Sequence, residues 1–162
     1  MDALIAIKRR RSIRNFTGAK IPRADLETIV DAGRWAPSGH NVQPWDFIVI
    51  TDEAMLQELA VVGAWIVKAA AVVAVVLDES SDFWVEDGAA AIENMLIAGT
   101  ALGYGSCWLE GDTLVWEEHF KELLGVPVDK RLLTLIPFGL SVEWPDQEKR
   151  PLGDVLHWER FS

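Results

Sequence analysis

Ala36-Pro37-Ser38-Gly39-His40-Asn41-Val42-Gln43-Pro44-Trp45 joins a helical pattern on its N-terminal side to a strand pattern on its C-terminal side. Between its two prolines stand a glycine and four hydrogen-bonding side chains, more donors and acceptors than chain reversal requires. That concentration suits a ligand-binding loop. A polar helix-to-strand connector can have the same composition, so the stretch takes its meaning from its surroundings.

Upstream, Ile21-Pro22 leads a helix with Leu26, Ile29, Val30 and Gly33 at helical spacing, stopped by Pro37. Downstream, Trp45 to Thr51 carries Phe47-Ile48-Val49-Ile50, too continuous for a sheet open on one face, and predicts a central strand. Beyond it, a helix is expected over 52–62, capped by Thr51 or Asp52, and a buried strand over 71–77. The longest helix is expected over 83–102, with Ile92, Met95, Leu96 and Gly99 on its apolar side. Small residues from Gly88 to Ala91 permit close packing against a second helix or a second subunit. Gly103-Tyr104-Gly105-Ser106-Cys107-Trp108 opens a third strand, and a helix over 113–124 ends at Gly125. A fourth strand over 132–140 contains Pro137 and Gly139, which predicts a bulge or an edge. Short helices are expected over 2–11 and 152–158. Four strands among helices imply a layered α/β or α+β domain, with strand directions open.

The 162 residues are expected to form one domain, 1–162. A net charge of −10 argues against binding nucleic acid or an anionic membrane surface as a whole. Cys107 is the only cysteine, so no intramolecular disulfide is possible, and the three histidines lack metal-ligand spacing. With no histidine or acid evident beside it, Cys107 reads as a small buried hydrophobe rather than a nucleophile. The N-terminus has no apolar signal-like run, which favours the cytoplasm. Leu59 to Leu77 approaches the length of a membrane span, but Lys68 near its middle would cost about 2.5–3.5 kcal/mol in a bilayer. A helix end followed by a buried strand explains the segment better.

Arg10, Arg11, Ser12 and Arg14 could bind a phosphate or an electron-rich ring edge, because guanidinium stays charged and donates several hydrogen bonds. Lys8 to Arg11 reads equally as a solvated face or a basic run. Arg150 could reach the same anion or simply flank a helix. From the residues alone, function stops at the binding of something anionic.

Five stretches together carry a resemblance: Arg10 to Phe16, Ala36 to Trp45, Asp87-Gly88-Ala89-Ala90 to Asn94-Met95, Gly103 to Trp108, and Lys149-Arg150-Pro151-Leu152 to His157-Trp158. In order and spacing they resemble the FMN-dependent nitroreductase family, of which this chain looks like a compact member. The resemblance implies an α+β fold with a mixed, mainly antiparallel central sheet flanked by helices, assembled as an intertwined homodimer with two FMN sites at its interface. It implies that Arg10, Ser12 and Arg14, with Arg11 close by, contact one flavin from phosphate to pyrimidine edge, and that Arg150 holds the phosphate. Pro37, Ser38, Gly39, Asn41 and Gln43 would come from the partner subunit, and the backbone around Gly105 and Ser106 would face the ring near N5. An arginine near N1 and O2 would stabilise the reduced flavin's negative charge.

The implied activity is ping-pong transfer of electrons from NADH or NADPH to a small acceptor such as a nitroaromatic or quinone, with no catalytic side chain named. The same fold also supports reductive dehalogenation and flavin fragmentation, and a flavin-binding module without turnover is a further alternative.

Overall fold

A computed structural model describes residues 1–161. Strand formation is strongest where the sequence is most continuously apolar. Ala71–Leu77 (β2) is buried at every position and lies between Trp45–Ile50 (β1) and Arg131–Gly139 (β4). The two-residue Gly105–Ser106 (β3) completes the order β1-β2-β4-β3, with every pairing in the sheet antiparallel. A parallel bridge from Ser12 to Ser106 adds the mixed element.

Side chains of β2 alternate between two cores, as the two-residue period of a strand requires. Val73, Val75 and Leu77 face Arg23–Arg34 (α2) and Trp84–Ala101 (α4), packing with Leu26, Ile29, Ile92, Met95 and Phe138. Val72, Ala74 and Val76 face the other way, toward Leu56 and Leu59 of Glu53–Leu59 (α3) and Phe120 of Glu117–Leu124 (α6). Burying each of these side chains except the smaller Ala74 contributes about 1.5–3 kcal/mol before the entropy of ordering it is counted.

The strand expected to be central, β1, is instead the edge beside β2. Its unbroken apolar run has a different cause, because both faces of the sheet are covered: Phe47 packs into one core and Ile48 and Ile50 into the other. Conversely, β4 is an interior strand and is also bulged, its pairing with β2 slipping by one residue between Val75 and Val76. Pro137 lies opposite Val72 of β2, but its carbonyl accepts the Cys107 N–H at 3.2 Å, so its nitrogen faces the β3 side, where regular pairing covers two residues and the missing N–H costs the ladder little.

The helix expected over 52–62 ends at Leu59 and continues as 3-10 turns, Ala60–Val62 and Ala64–Lys68. The helix expected over 113–124 is two: Glu110–Val115 (α5) and α6, broken at Trp116. Buried Thr113 accepts a hydrogen bond from the Leu135 N–H of β4, which ties α5 to the sheet independently of α6. The last predicted helix is a single 3-10 turn, Leu152–Asp154. Ala3–Arg9 (α1) is capped by Asp2, whose carboxylate accepts the Leu4 N–H at 3.0 Å. Only Ala6 of this helix is buried, while Leu4, Ile5 and Ile7 are exposed. No helix among the described residues is long and apolar enough to cross a membrane.

Candidate functional site

Arg10 ends α1, donating its backbone N–H to Ala6 at 2.9 Å, and its Nε lies 3.2 Å from Glu93 of α4. The chain then extends alongside β3, where the Ile13 N–H donates to the Ser106 carbonyl at 2.8 Å. Extension sends successive side chains to opposite sides, so Ile13 is buried against Phe16 and Ala69 while Ser12 and Arg14 are exposed. Gly105 permits this close approach. A Cβ there would lie 2.8–2.9 Å from three atoms of Ile13.

Cys107 shows how tightly this group is gathered. Burial pushes its thiol above the ordinary value, opposed by the charge of Arg14, a hydrogen bond with Ser12 and the charge of Arg10. Arg10, Ser12, Arg14 and Ser106 therefore converge at one end of the sheet. Two polar atoms here are buried without a partner, the Ser106 hydroxyl and Arg11 Nε. Arg11 Nη1 is occupied by the carbonyls of Lys8 and Arg10 at 2.7 and 2.8 Å. Arg14 forms no ion pair among the described residues.

At the opposite end of the sheet lies the loop from Pro37 to Pro44. Ser38 Oγ accepts the Gln43 N–H at 3.0 Å, closing the loop on itself, and the Gln43 side-chain amide donates to the Asn41 carbonyl at 3.3 Å. His40, Asn41 and Gln43 have φ of 52°, 58° and 54°. Left-handed backbone costs about 1–2 kcal/mol for a residue with a Cβ, somewhat less for Asn, so three in four residues persist only if the surroundings impose them. Much of the hold comes from α4: Asp87 Oδ1 accepts the Gly39 N–H at 2.9 Å, and Phe83 lies against Gly39. Asn94 donates to the Ala32 carbonyl at 3.1 Å, fixing the end of the helix that feeds the loop.

The register separates the two groups. The loop enters β1 at Trp45, opposite Leu77, while β3 meets β4 at Phe138 and Gly139, beside Ala71. Seven residues of β2 lie between, about 20 Å at strand spacing. Within one chain the predicted residues thus form two clusters. Arg150 is exposed in the tail and donates to the Asp154 carbonyl at 2.7 Å.

A groove of about 840 Å³ lies elsewhere, along the open edge of β1 between α2 and α3. Four of its charged side chains are paired within α2, Arg23 with Glu27 and Arg34 with Asp31, and Lys20 and Glu53 also line it.

Sequence reasoning assigned no role to Asp87 or Glu93. The available signal was an acid, Asp87, leading the small-residue run Gly88-Ala89-Ala90 on a helix whose other inward residues are uncharged.

The model of the nitroreductase family matches residues 7–87 and 65–140. A protein of Archaeoglobus fulgidus whose name pairs NADH dehydrogenase with NAD(P)H nitroreductase is 36% identical, covering 99% of both chains. A nitroreductase-type protein from Desulfovibrio desulfuricans, solved in complex with FMN, is 32% identical with a TM-score of 0.86, covering 100% of this chain and 99% of its own. A Bacteroides thetaiotaomicron crystal structure carrying the same paired name superimposes with a TM-score of 0.91 at 26% identity, covering 98% of each chain. With the sheet order, the clustered arginines and the loop already described, the conclusion is that this chain belongs to the nitroreductase family.

Proposed function

We propose that the protein is a cytoplasmic FMN-dependent oxidoreductase, working as a homodimer that passes electrons from NADH or NADPH to a small oxidised acceptor such as a nitroaromatic or quinone. The observation that carries this reading is the cluster of Arg10, Ser12 and Arg14 around β3, with the Ser106 hydroxyl and Arg11 Nε buried and unpartnered beside it. Such orphaned groups cost about 1–3 kcal/mol each unless a ligand or water completes them. They fit a ligand with a phosphate and several ring acceptors.

Bound FMN supplies the redox chemistry, accepting a hydride from the nicotinamide and giving electrons up to the acceptor. The chain binds and orients. Arg14, without an ion pair among the described residues, offers its positive charge, whereas Glu93 already offsets part of that of Arg10. Ser12 and Ser106 offer hydroxyls, and the Gly105 backbone allows close approach. Arg11 stands close by, and Arg150 reaches the phosphate by leaving its bond to Asp154. Burial keeps the Cys107 thiol protonated, consistent with a chain that contributes no nucleophile.

Pro37, Ser38, Gly39, Asn41 and Gln43 complete the site from the partner subunit. Their separation from the arginine cluster within one chain supports this division, since a site that uses both sets draws them from different copies. Apolar surface supports the same assembly. Leu4 is 68% exposed on α1, and Trp158 and Phe161 are 75% and 92% exposed in the tail. The groove along the open β1 edge is suited to receive such a tail from a second chain.

Steady-state rates measured against NADH or NADPH at several fixed acceptor concentrations test the scheme. Parallel double-reciprocal lines are expected for one pocket used in turn. Converging lines would require both substrates bound together and would refute it.

A further inference from the structure

Gly39 is gripped from two directions by the first turn of α4. Asp87 is 5% exposed and gives one oxygen to the Gly39 N–H, while its second oxygen is buried without a partner. A carboxylate in that position is costly, and an apolar residue of similar size would pack without the penalty. Its one described side-chain bond is to the loop. From the other side Phe83 lies so close that a Cβ on Gly39 would sit 2.3 Å from Cδ2 of its ring. The three left-handed residues follow within four positions of this grip.

We propose that Asp87 is a positioning residue which, with Phe83 as the opposing wall, clamps Gly39 and so holds Ser38, Asn41 and Gln43 in their strained, ligand-ready arrangement. Strain of this kind relaxes if the anchor is lost, because His40 and Asn41 only tolerate left-handed backbone better than most residues with a Cβ and Gln43 has no such tolerance. Asp87 touches no ligand in this account. It acts on affinity by ordering the loop before binding, so its removal adds an ordering cost to each binding event. The affinity consequence rests on the flavin reading above; the clamp itself does not.

The test compares Asp87→Ala and Asp87→Asn with the wild-type protein by hydrogen–deuterium exchange without flavin, followed by FMN titration. Asparagine keeps an acceptor oxygen for Gly39, so D87N should exchange and bind within about threefold of wild type. D87A should exchange about tenfold or more faster in the peptide 36–45 than wild type, with β2 unchanged, and bind FMN about tenfold more weakly. Equal acceleration across all peptides would mean that Asp87 only stabilises the fold and would overturn the proposal. So would wild-type exchange over 36–45 in folded D87A, or an equal defect in D87N.

Should D87A fail to fold, Gly39→Ala tests the same grip from the loop. G39A should accelerate exchange over 36–45, and the double variant with Phe83→Leu should reverse much of that. No change in G39A would count against the clamp. Should the wild-type protein bind no FMN, the flavin reading fails while the exchange experiment still decides the clamp.

Discussion

At Arg14 the consequence of position is direct. Exposed, without an ion pair among the described residues and close to Cys107 with Ser12 and Arg10, it has no packing role to lose. Arg14→Ala should therefore leave the melting temperature within about 2 °C while weakening FMN binding by roughly tenfold or more, as expected for a lost charge-assisted bond. Fluorescence titration and a thermal melt on the same sample check both halves. Gly105→Ala should behave in the opposite way. Its Cβ would meet Ile13 at 2.8–2.9 Å, and one of those atoms is the Ile13 Cβ, which cannot rotate away. Overpacking of about 1–3 kcal/mol should lower the melting temperature by roughly 3–10 °C. The outward direction of Ser12 and Arg14 is the kind of detail that sequence shows only by alternation around Ile13, whereas the Arg10 to Glu93 pair could not be read, because only the packing of α1 on α4 brings them together.

Among the elements, α6 is tied to β4 by Glu117. Its carboxylate accepts from Arg131 Nε and Nη2 at 2.8 and 2.9 Å and from the Leu132 N–H at 3.0 Å, with the side chain only 11% exposed. These bonds, led by Arg131, hold its carboxyl below the ordinary glutamate value despite opposing desolvation. A lowered native value means that the stabilisation is complete above the unfolded value and is lost as pH falls through the native one. Glu117→Gln should thus be less stable than wild type by about 1–2 kcal/mol at pH 7, allowing for the part-exposed arginine. In urea melts the difference should shrink steadily below about pH 4.5. Element existence was largely legible in the sequence: the strands at Trp45, Ala71, Gly105 and Arg131 and the long α4 all stand where patterning puts them. Order in the sheet was not. The Phe47 to Ile50 run reports burial by two layers of helices, and no local pattern distinguishes that from burial between two strands. The split between α5 and α6 was hidden for a similar reason, since Thr113 is fixed by the Leu135 backbone of β4.

On the scale of the molecule, the exposed apolar face of α1 and the apolar tail are surfaces that the proposed homodimer would cover. Ile5→Glu places a charge on that face without touching the core, because Ile5 is exposed. Sedimentation should show the wild-type protein at twice the 18.0 kDa chain mass and I5E shifted toward the single-chain mass, with FMN retention falling in step. The two clusters at opposite ends of the sheet give the reason: separated chains would each keep only half of the donors. The central claim, that these half-sites together hold FMN for electron transfer, is tested most directly by the visible spectrum of protein mixed with FMN, desalted, and then treated anaerobically with NADH or NADPH. The account predicts about one retained flavin per chain, whose absorbance bleaches with at least one nicotinamide, whereas protein that emerges colourless under all conditions would contradict it.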